Sequence, residues 1–258
     1  MLLNRIRLQD RDIRVAVFGT GGVGGYFGGR LAEAGEDVIF IARGDHLRAI
    51  KEKGLKVDSP DGDFVIYPAT ATDTVSDVGT VDLVIVGVKA WQVPEAARAM
   101  RPLVGANTTV LPLQNGVDAV QQLVDALGSE SVIGGLCRIV SFVVEPGHIR
   151  HAGSMPSSTP SVIIGELDNR LSRRIATIEQ LFKRAGVEIT VATDIQVALW
   201  TKFLFIVSFS GMAAIANAPA GVVRSDPQLR AQMLRAMQEI YALAHARGIN
   251  LHRIPLTR

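Results

Sequence analysis

Short apolar runs alternate with helix-like patterns through the first two-thirds of the chain. Buried strands are predicted at residues 13–19, 37–43, 81–89 and 108–116, and each is followed by apolar positions at helical spacing. This alternation is typical of parallel βαβ units. Two alternating runs around Pro60-Asp61-Gly62 predict a hairpin. The pattern therefore predicts an α/β chain that begins with a Rossmann-type dinucleotide-binding domain.

The pattern changes twice further along the chain. Between residues 131 and 167 short β runs and turns predict antiparallel strands that finish the sheet, followed by a helix at 169–186 and a strand at 187–193. Beyond Asp194 the pattern is helical, which divides the chain into a Rossmann domain at 1–192 and an all-helical domain at 193–258, incomplete relative to the family named below.

Two helices carry most of the apolar residues of this second domain. The charge-free stretch 203–223 contains Ser, Asn and Pro, so we expect a buried core helix rather than a membrane span. The last helix starts at Ser225-Asp226-Pro227, an N-cap signal. One face of it is an apolar stripe for which the remaining chain offers no evident partner: Leu229, Met233, Met237, Ile240, Tyr241 and Ala244. A homodimer is one way to cover that stripe.

Composition narrows the function classes. The chain has 258 residues, 48% of them hydrophobic, and a net charge of +2, which gives no sign of nucleic-acid binding. A single cysteine, Cys137, and no His-x-x-x-His pair argue against a metal site. The first residues lack the apolar core of a signal peptide, so we expect a cytoplasmic protein.

A glycine-rich stretch follows the first predicted strand. The sequence from Gly19 to Gly24, Gly-Thr-Gly-Gly-Val-Gly, fits the pattern G-x-G-x-x-G with a strand before it and a helix after it. In this context Gly19 permits the tight turn, Gly21 lets the backbone approach a pyrophosphate, and Gly24 lets helix and strand pack closely. The helix N-terminus offers free N–H groups to the phosphates. A glycine turn without a ligand is the alternative.

Arg43 ends the second predicted strand, where an NAD-binding chain usually has Asp or Glu. A guanidinium suits the 2′-phosphate of NADP, so we expect NADP(H). Asp45, two residues on, keeps NAD open, and a solvated loop arginine is the structural alternative. Arg43 also argues against a methyltransferase. A short-chain dehydrogenase needs Tyr-x-x-x-Lys, which none of the three tyrosines provides.

Five stretches in one order resemble the ketopantoate reductase family, NADPH-dependent 2-dehydropantoate 2-reductases of pantothenate synthesis. They are the glycine loop, "IARGDHL", "VGVKAWQV", "PLQNGV" and "LWTKFLF". The resemblance implies that Gly19, Gly21, Gly22, Val23 and Gly24 bind the pyrophosphate and that Arg43 binds the 2′-phosphate. It also implies Lys89 on the cofactor side of the cleft, Asn115 near nicotinamide and substrate, and Lys202 as the catalytic lysine.

The residues themselves support these roles. Lys89 and Asn115 directly follow predicted parallel strands, at the sheet edge where ligands bind, although a surface lysine and a turn asparagine are the plain alternatives. Lys202 is flanked by Trp200 and Phe203, so its ammonium needs compensation unless it reaches solvent. A 2-oxo acid would provide that compensation, since the lysine can polarise the ketone and donate a proton.

Two departures from the family leave an alternative open. Ile206 and Ser210 occupy the substrate-facing positions where the family has asparagines, which favours a more apolar 2-oxo acid. The family also continues into helices that supply a substrate-binding serine and a catalytic glutamate, and no residue here can be assigned to either role. We therefore expect an NADPH-dependent reductase of a small 2-oxo acid, or a non-catalytic NADP-binding relative.

Overall fold

The computed structural model of the chain describes residues 13–154 and 161–251, and its elements are numbered in chain order. Five strands form a central sheet, from edge to edge β5 (Thr70–Thr72), β2 (Asp37–Ile41), β1 (Arg14–Phe18), β6 (Leu83–Val86) and β7 (Thr109–Pro112). Every pairing in this sheet is parallel. The predicted α/β fold of Rossmann type, followed by helices, is confirmed.

Helices cover both faces of this sheet. They are α1 (Gly22–Glu33), α2 (Gly44–Lys53), α3 (Val93–Ala99) and α4 (Ala119–Leu127). Val15 and Val17 of β1 pack with Phe27 of α1, whereas Ala16 and Phe18 belong to the core on the opposite face, with α3 and α4. Successive side chains of a strand point to opposite faces, so a strand covered on both sides is a continuous apolar run. This explains why the strands could be found from the sequence.

The chain leaves β1 toward β2 on one side and later returns to β6 on the other side. The carboxyl ends of β1 and β6 therefore form a topological switch point, where open α/β sheets bind their ligands. Gly19 follows β1 and Gly87 follows β6, and the Gly87 N–H donates to the carbonyl of Phe18 at 2.8 Å. The glycine loop thus lies at this switch point.

The antiparallel strands predicted between residues 131 and 167 are confirmed, but the prediction that they finish the central sheet was wrong, because they build two further sheets. One contains β4 (Phe64–Ile66), β3 (Leu55–Asp58), β10 (His148–Ser154) and β9 (Ile139–Glu145); the other contains β12 (Ile189–Val191), β11 (Val162–Gly165) and β8 (Gly134–Cys137), with α5 (Arg173–Arg184) before β12. The antiparallel hairpin of β3 and β4 is confirmed. The physical reason for the error is that β9 and β10 cover the glycine-rich face of α1.

Three helices complete the described chain: α6 (Ile195–Ala216), α7 (Ala220–Ser225) and α8 (Pro227–Ala246). The Asp226 carboxylate caps α8 by accepting hydrogen bonds from the N–H groups of Gln228 and Leu229, as its sequence predicts. The apolar stripe of α8 does have a partner, contrary to the expectation, because Ile240 and Ala244 pack with Trp200 of α6. The domain division at residue 192 stays a prediction.

Helix α6 is less buried than its sequence suggests. Phe205 is 38% exposed and Ile215 is 79% exposed, whereas Leu204, Ser208 and Met212 are buried, so the expectation of a buried core helix holds for one face of α6 only. The reason is that, among the described residues, the elements that mainly pack against α6 are α7, α8, β8 and β11. By length and composition alone, α6 is also the one described helix that could cross a membrane.

Candidate active site

A groove with two chambers lies at the switch point of the central sheet. The first chamber, with a volume of about 440 Å³, lies between the glycine loop, the end of β2 and the start of α3. The second, of about 600 Å³, continues toward the end of β7. Five residues line both chambers and therefore join them into one groove: Gly21, Gly87, Val88, Lys89 and Val143.

The glycine loop has the geometry of a phosphate-binding turn. Gly19 has φ of +96°, a left-handed conformation that favours glycine, and the Thr20 hydroxyl donates to the Ile41 carbonyl at 3.1 Å. The Gly25 N–H donates to the Gly21 carbonyl at 2.7 Å, so the preceding N–H groups of α1 have no acceptor inside the helix. No atom lies within 4 Å of where a Gly21 side chain would start. The loop therefore fits a pyrophosphate group.

Gly22 and Gly24 lack side chains for a different reason. A Cβ at Gly22 would lie 2.5 Å from the carbonyl carbon of Ser141 and 2.7 Å from the nitrogen of Phe142, both on β9. The Ser141 hydroxyl also donates to the Gly22 carbonyl at 2.8 Å. A Cβ at Gly24 would collide with the Gly19 carbonyl. Gly22 and Val23 line the second chamber, and Gly22 is also the point at which α1 packs directly against the backbone of β9.

The first chamber contains the groups expected at the adenosine end of a dinucleotide. Arg43, two residues after the end of β2, lines it and is exposed, without an ion pair to any described residue. Glu95 and Glu145 line the same chamber and add negative charge to it. His46 lines it as well, and burial lowers the pKa of its imidazole even though the hydrogen bond with the Thr20 carbonyl opposes that shift.

The second chamber combines a few polar groups with an apolar wall. Asn115 and Lys89 line it with exposed side chains, and the buried Gln114 amide donates to the carbonyls of Val86 and Val88 at 2.7 and 3.0 Å. These bonds fix the end of β7 against the end of β6. The apolar wall is formed by Trp91, Leu113, Ile139, Phe142 and Val143, together with Val23 of α1 and Val88 from the loop after β6.

Cys137 also lines the second chamber, where it is 5% exposed. Burial raises the pKa of its thiol, against a smaller opposing effect of the Lys202 charge. The thiol donates to the Leu113 carbonyl at 3.5 Å. A buried, protonated thiol is a poor nucleophile, so Cys137 contributes to the wall of the chamber.

Lys202 lies on α6 behind Cys137, and it is not among the residues that line the two chambers. Burial lowers the pKa of its ammonium; the Cys137 thiolate form would oppose this, and the charge of Arg138 adds to it. No carboxylate of the described residues forms an ion pair with Lys202. Ile206 is half-buried and Ser210 exposed, and neither lines a chamber.

The structure thus brings together most, but not all, of the predicted site. Gly19, Gly21, Arg43, Lys89 and Asn115 line one groove, whereas Lys202 does not line it and interacts electrostatically with Cys137, which does. Sequence reasoning missed the β9 residues, as well as His46 and Trp91. His46 and Trp91 stand inside quoted motifs, but neither residue type indicated a role by itself. Among the described residues, no cluster of three or more His, Cys, Asp or Glu could hold a metal ion.

Comparisons with known proteins identify the family of the chain. The family model described as ketopantoate reductase PanE/ApbA matches residues 15–168, and the model of its C-terminal region matches residues 194–255. A 2-dehydropantoate 2-reductase of Halobacterium salinarum is 34% identical over 243 residues, which cover 93% of this chain and 77% of that protein. One of Nostoc sp. is 29% identical, covering 92% and 74%.

Solved structures show the same fold. The crystal structure of a 2-dehydropantoate 2-reductase from Geobacter metallireducens is 32% identical and superposes with a TM-score of 0.86, covering 94% of this chain and 79% of that one. A structure of D-mandelate dehydrogenase with NADH has a TM-score of 0.81 at 20% identity, which shows the shared fold alone. The chain belongs to the ketopantoate reductase family of oxidoreductases.

Proposed function

We propose that this chain binds NADPH along the two-chambered groove and reduces a small 2-oxo acid to a 2-hydroxy acid. The observation that carries the proposal is the groove itself. It runs over the free N–H groups of α1, with Arg43 at one end and Asn115 at the other. That arrangement matches the charge pattern of an extended dinucleotide phosphate, and the family membership supports the reaction.

The proposed cofactor contacts follow from the lining of the groove. The backbone from Gly19 to Gly24 would hold the pyrophosphate, Arg43 the 2′-phosphate, and Lys89 the junction of the chambers. Asn115 would lie beside the nicotinamide and the substrate. When bound, the reduced nicotinamide supplies a hydride to the carbonyl carbon of the substrate.

Lys202 is proposed as the proton donor. As the carbonyl carbon gains the hydride, its oxygen gains negative charge, and the ammonium can stabilise that charge and transfer a proton to it. Burial lowers the pKa of Lys202, so its proton is released more readily than that of a surface lysine. Solvent then returns a proton to the amine.

The wall of the second chamber supports an apolar side chain on the substrate. Trp91, Leu113, Ile139 and Phe142 contribute apolar surface, and Ile206 stands where the family has an asparagine. A hydrocarbon group gains from burial against such a wall, whereas a hydroxyl group there would lose hydrogen bonds to water. We therefore propose a branched or aromatic 2-oxo acid in preference to 2-dehydropantoate.

The test is to follow NADPH oxidation with a matched pair of substrates. Trimethylpyruvate has the carbon skeleton of 2-dehydropantoate without its hydroxyl group, so the ratio of the two kcat/KM values isolates the preference for apolar substituents. We expect turnover with both and a higher value for trimethylpyruvate. Lys202→Ala should abolish turnover, whereas Lys51→Ala, an exposed lysine of α2 outside the groove, should leave it unchanged.

A second candidate is an NADP-binding protein without turnover. It is favoured by the position of Lys202, Ile206 and Ser210, which do not line the chambers. NADPH binding, seen as a change in its fluorescence, together with no oxidation by a panel of 2-oxo acids would favour this candidate. Absence of NADPH binding would contradict both candidates.

The cellular setting follows from the same proposal. A reductase of this kind would act in the cytoplasm, either in pantothenate synthesis or on a related 2-oxo acid. It would have no nucleic acid or membrane as partner. Exposed apolar side chains of α6 such as Phe205 and Ile215 support a homodimer. Light scattering that shows only a monomer at assay concentration would contradict the dimer.

A further inference from the structure

His46 connects two walls of the groove that are far apart in the sequence. Its Nε2 lies 2.6 Å from the carbonyl oxygen of Thr20 in the glycine loop. Its Nδ1 accepts a hydrogen bond from the N–H of Gly147, in the turn between β9 and β10, at 2.9 Å. The side chain is half-buried and lines the first chamber between these two contacts.

The two contacts determine the protonation of the ring. A backbone N–H can only donate, so Nδ1 must be the unprotonated acceptor, and the single proton lies on Nε2, which donates to the Thr20 carbonyl. His46 is therefore a neutral imidazole with one defined tautomer. An imidazolium that binds a phosphate is incompatible with the Gly147 contact, because it would place two donors against each other.

The contact to Thr20 orients the peptide that precedes Gly21. The carbonyl and the N–H of a trans peptide point in opposite directions, so a fixed Thr20 carbonyl also fixes the direction of the Gly21 N–H. Gly21 lines both chambers and has open space where its side chain would be. Without His46 the Thr20 carbonyl would lose its side-chain partner, and the peptide could rotate its negative end toward the phosphates.

The contact to Gly147 holds the opposite wall. Val143, Glu145 and Pro146 lead into this turn and line the first chamber across from the glycine loop. A second hydrogen bond joins the two walls, from the Ser141 hydroxyl to the Gly22 carbonyl, at the end of the β9–β10 hairpin away from the turn. At the adenosine end of the groove, His46 therefore sets the distance between the glycine loop and the β9–β10 turn.

We propose that His46 is a positioning residue that holds the glycine loop and the β9–β10 turn at the separation and orientation needed for the adenosine phosphate half of the cofactor. This inference rests on the proposed function, since it takes the groove as a dinucleotide site. It assigns to His46 no contact with the reacting atoms. The donor to Thr20 is the essential part, because it acts directly on the phosphate-binding backbone.

The test compares three replacements of His46 by titration with NADPH and with 2′,5′-ADP, which carries only the adenosine half. His46→Phe keeps the ring volume and removes both hydrogen bonds, and we expect Kd for both ligands to rise tenfold or more. His46→Gln places an amide donor near the position of Nε2, and we expect it to recover most of the affinity. His46→Asn replaces only the acceptor for Gly147, and we expect it to stay close to His46→Phe.

A control variant separates positioning from general loss of stability. Ser59→Ala removes two hydrogen bonds of the Ser59 hydroxyl, one with Nδ1 of His151 at 2.9 Å and one from the Asp61 N–H at 3.1 Å, at the end of β3 in the same four-stranded sheet and outside the groove. It should lower the melting temperature without changing either Kd. Equal loss of affinity in Ser59→Ala, or equal affinity in Gln and Asn variants, would overturn the inference.

The outcome also distinguishes this inference from the proposed function. A wild-type chain that binds neither NADPH nor 2′,5′-ADP would refute the dinucleotide site itself and the role of His46 with it. A wild-type chain that binds both, with His46→Phe binding equally well, would refute the role of His46 and leave the proposed function standing.

Discussion

Alanine substitutions at two neighbouring glycines separate the two uses of the glycine loop. Gly21 faces open space in the groove, whereas Gly22 faces the backbone of β9 at Ser141 and Phe142. Both glycines belong to the pattern that the sequence assigns to the cofactor. We therefore expect Gly21→Ala to affect mainly cofactor binding and Gly22→Ala to affect mainly stability.

The magnitude for Gly22→Ala follows from its contacts. Overpacking against backbone atoms that cannot rotate away costs about 2 kcal/mol. Displacement of β9 also breaks the Ser141 hydrogen bond to Gly22, which contributes about 1 kcal/mol. Alanine regains at most about 1 kcal/mol through its better helix propensity. The net loss is about 2 kcal/mol, which lowers the melting temperature of a chain of this size by about 4–8 °C.

For Gly21→Ala the expected changes are reversed. Gly21 has φ of −85°, which alanine adopts readily, so the cost is that of a poorer helix N-cap, about 1 kcal/mol at most. The new methyl group projects toward the pyrophosphate position, and we expect Kd for NADPH to rise at least tenfold, about 1.4 kcal/mol. Thermal unfolding without ligand and fluorescence titration with NADPH measure the two effects. A Gly22→Ala chain as stable as the wild type, with weakened NADPH binding, would refute the packing of β9 against Gly22.

Four further substitutions test the site and the core. Lys202→Met should raise the free energy of unfolding by about 1 kcal/mol while abolishing turnover, because it removes a buried charge without an ion pair; a destabilised variant in thermal melts would show that the charge is compensated. Arg43→Ala should weaken NADPH binding at least tenfold and leave NADH binding unchanged, and equal effects in titrations with the two cofactors would argue against a 2′-phosphate site. Arg174→Met should cost about 3 kcal/mol in denaturant unfolding, because it leaves the buried Glu166 carboxylate, 2.6 Å from the guanidinium, without its partner. Burial would raise the pKa of Glu166, but the hydrogen bonds from Arg174 and Ser172 outweigh this effect and hold the pKa below its ordinary 4.5. The stability that the ionised carboxylate provides is therefore complete above that pH and is lost as the pH falls through the lower pKa of the folded state. Glu166→Gln should flatten the acid side of the stability profile, and an unchanged pH profile would contradict the assignment.

The central sheet could be predicted because its information is local. Four of its five strands are apolar runs followed by a helical pattern, which is typical of parallel βαβ units. The edge strand β5, Thr70–Thr72, is short and polar and was not predicted. The glycine loop and Arg43 could be predicted for the same reason as the four strands, since the place of Arg43 after β2 follows from counting residues along one βαβ unit.

The contacts of β9 and His46 could not be predicted because they are long-range. The run from Ile139 to Glu145 has the composition of a strand, but nothing in it indicates that it lies against α1, 119 residues away at the Ser141 contact with Gly22. His46 bonds to backbone groups 26 and 101 residues away, and backbone groups leave no trace in the sequence. The burial of α6 was misjudged because the lack of charge in residues 203–223 does not show how much of the helix its neighbours cover.

The packing of β9 against Gly22 has a consequence for protein engineering. The segment from β1 to α2 contains the whole glycine pattern and Arg43, and it is the part that a designer would transplant to give another sheet an affinity for dinucleotides. One side of its groove, however, belongs to a hairpin encoded about a hundred residues later. A chimera that carries residues 13–54 alone would display the motif without the opposing wall. In this chain the recognisable signature and the opposing wall of the groove lie in separate segments, so transferring one does not transfer the other.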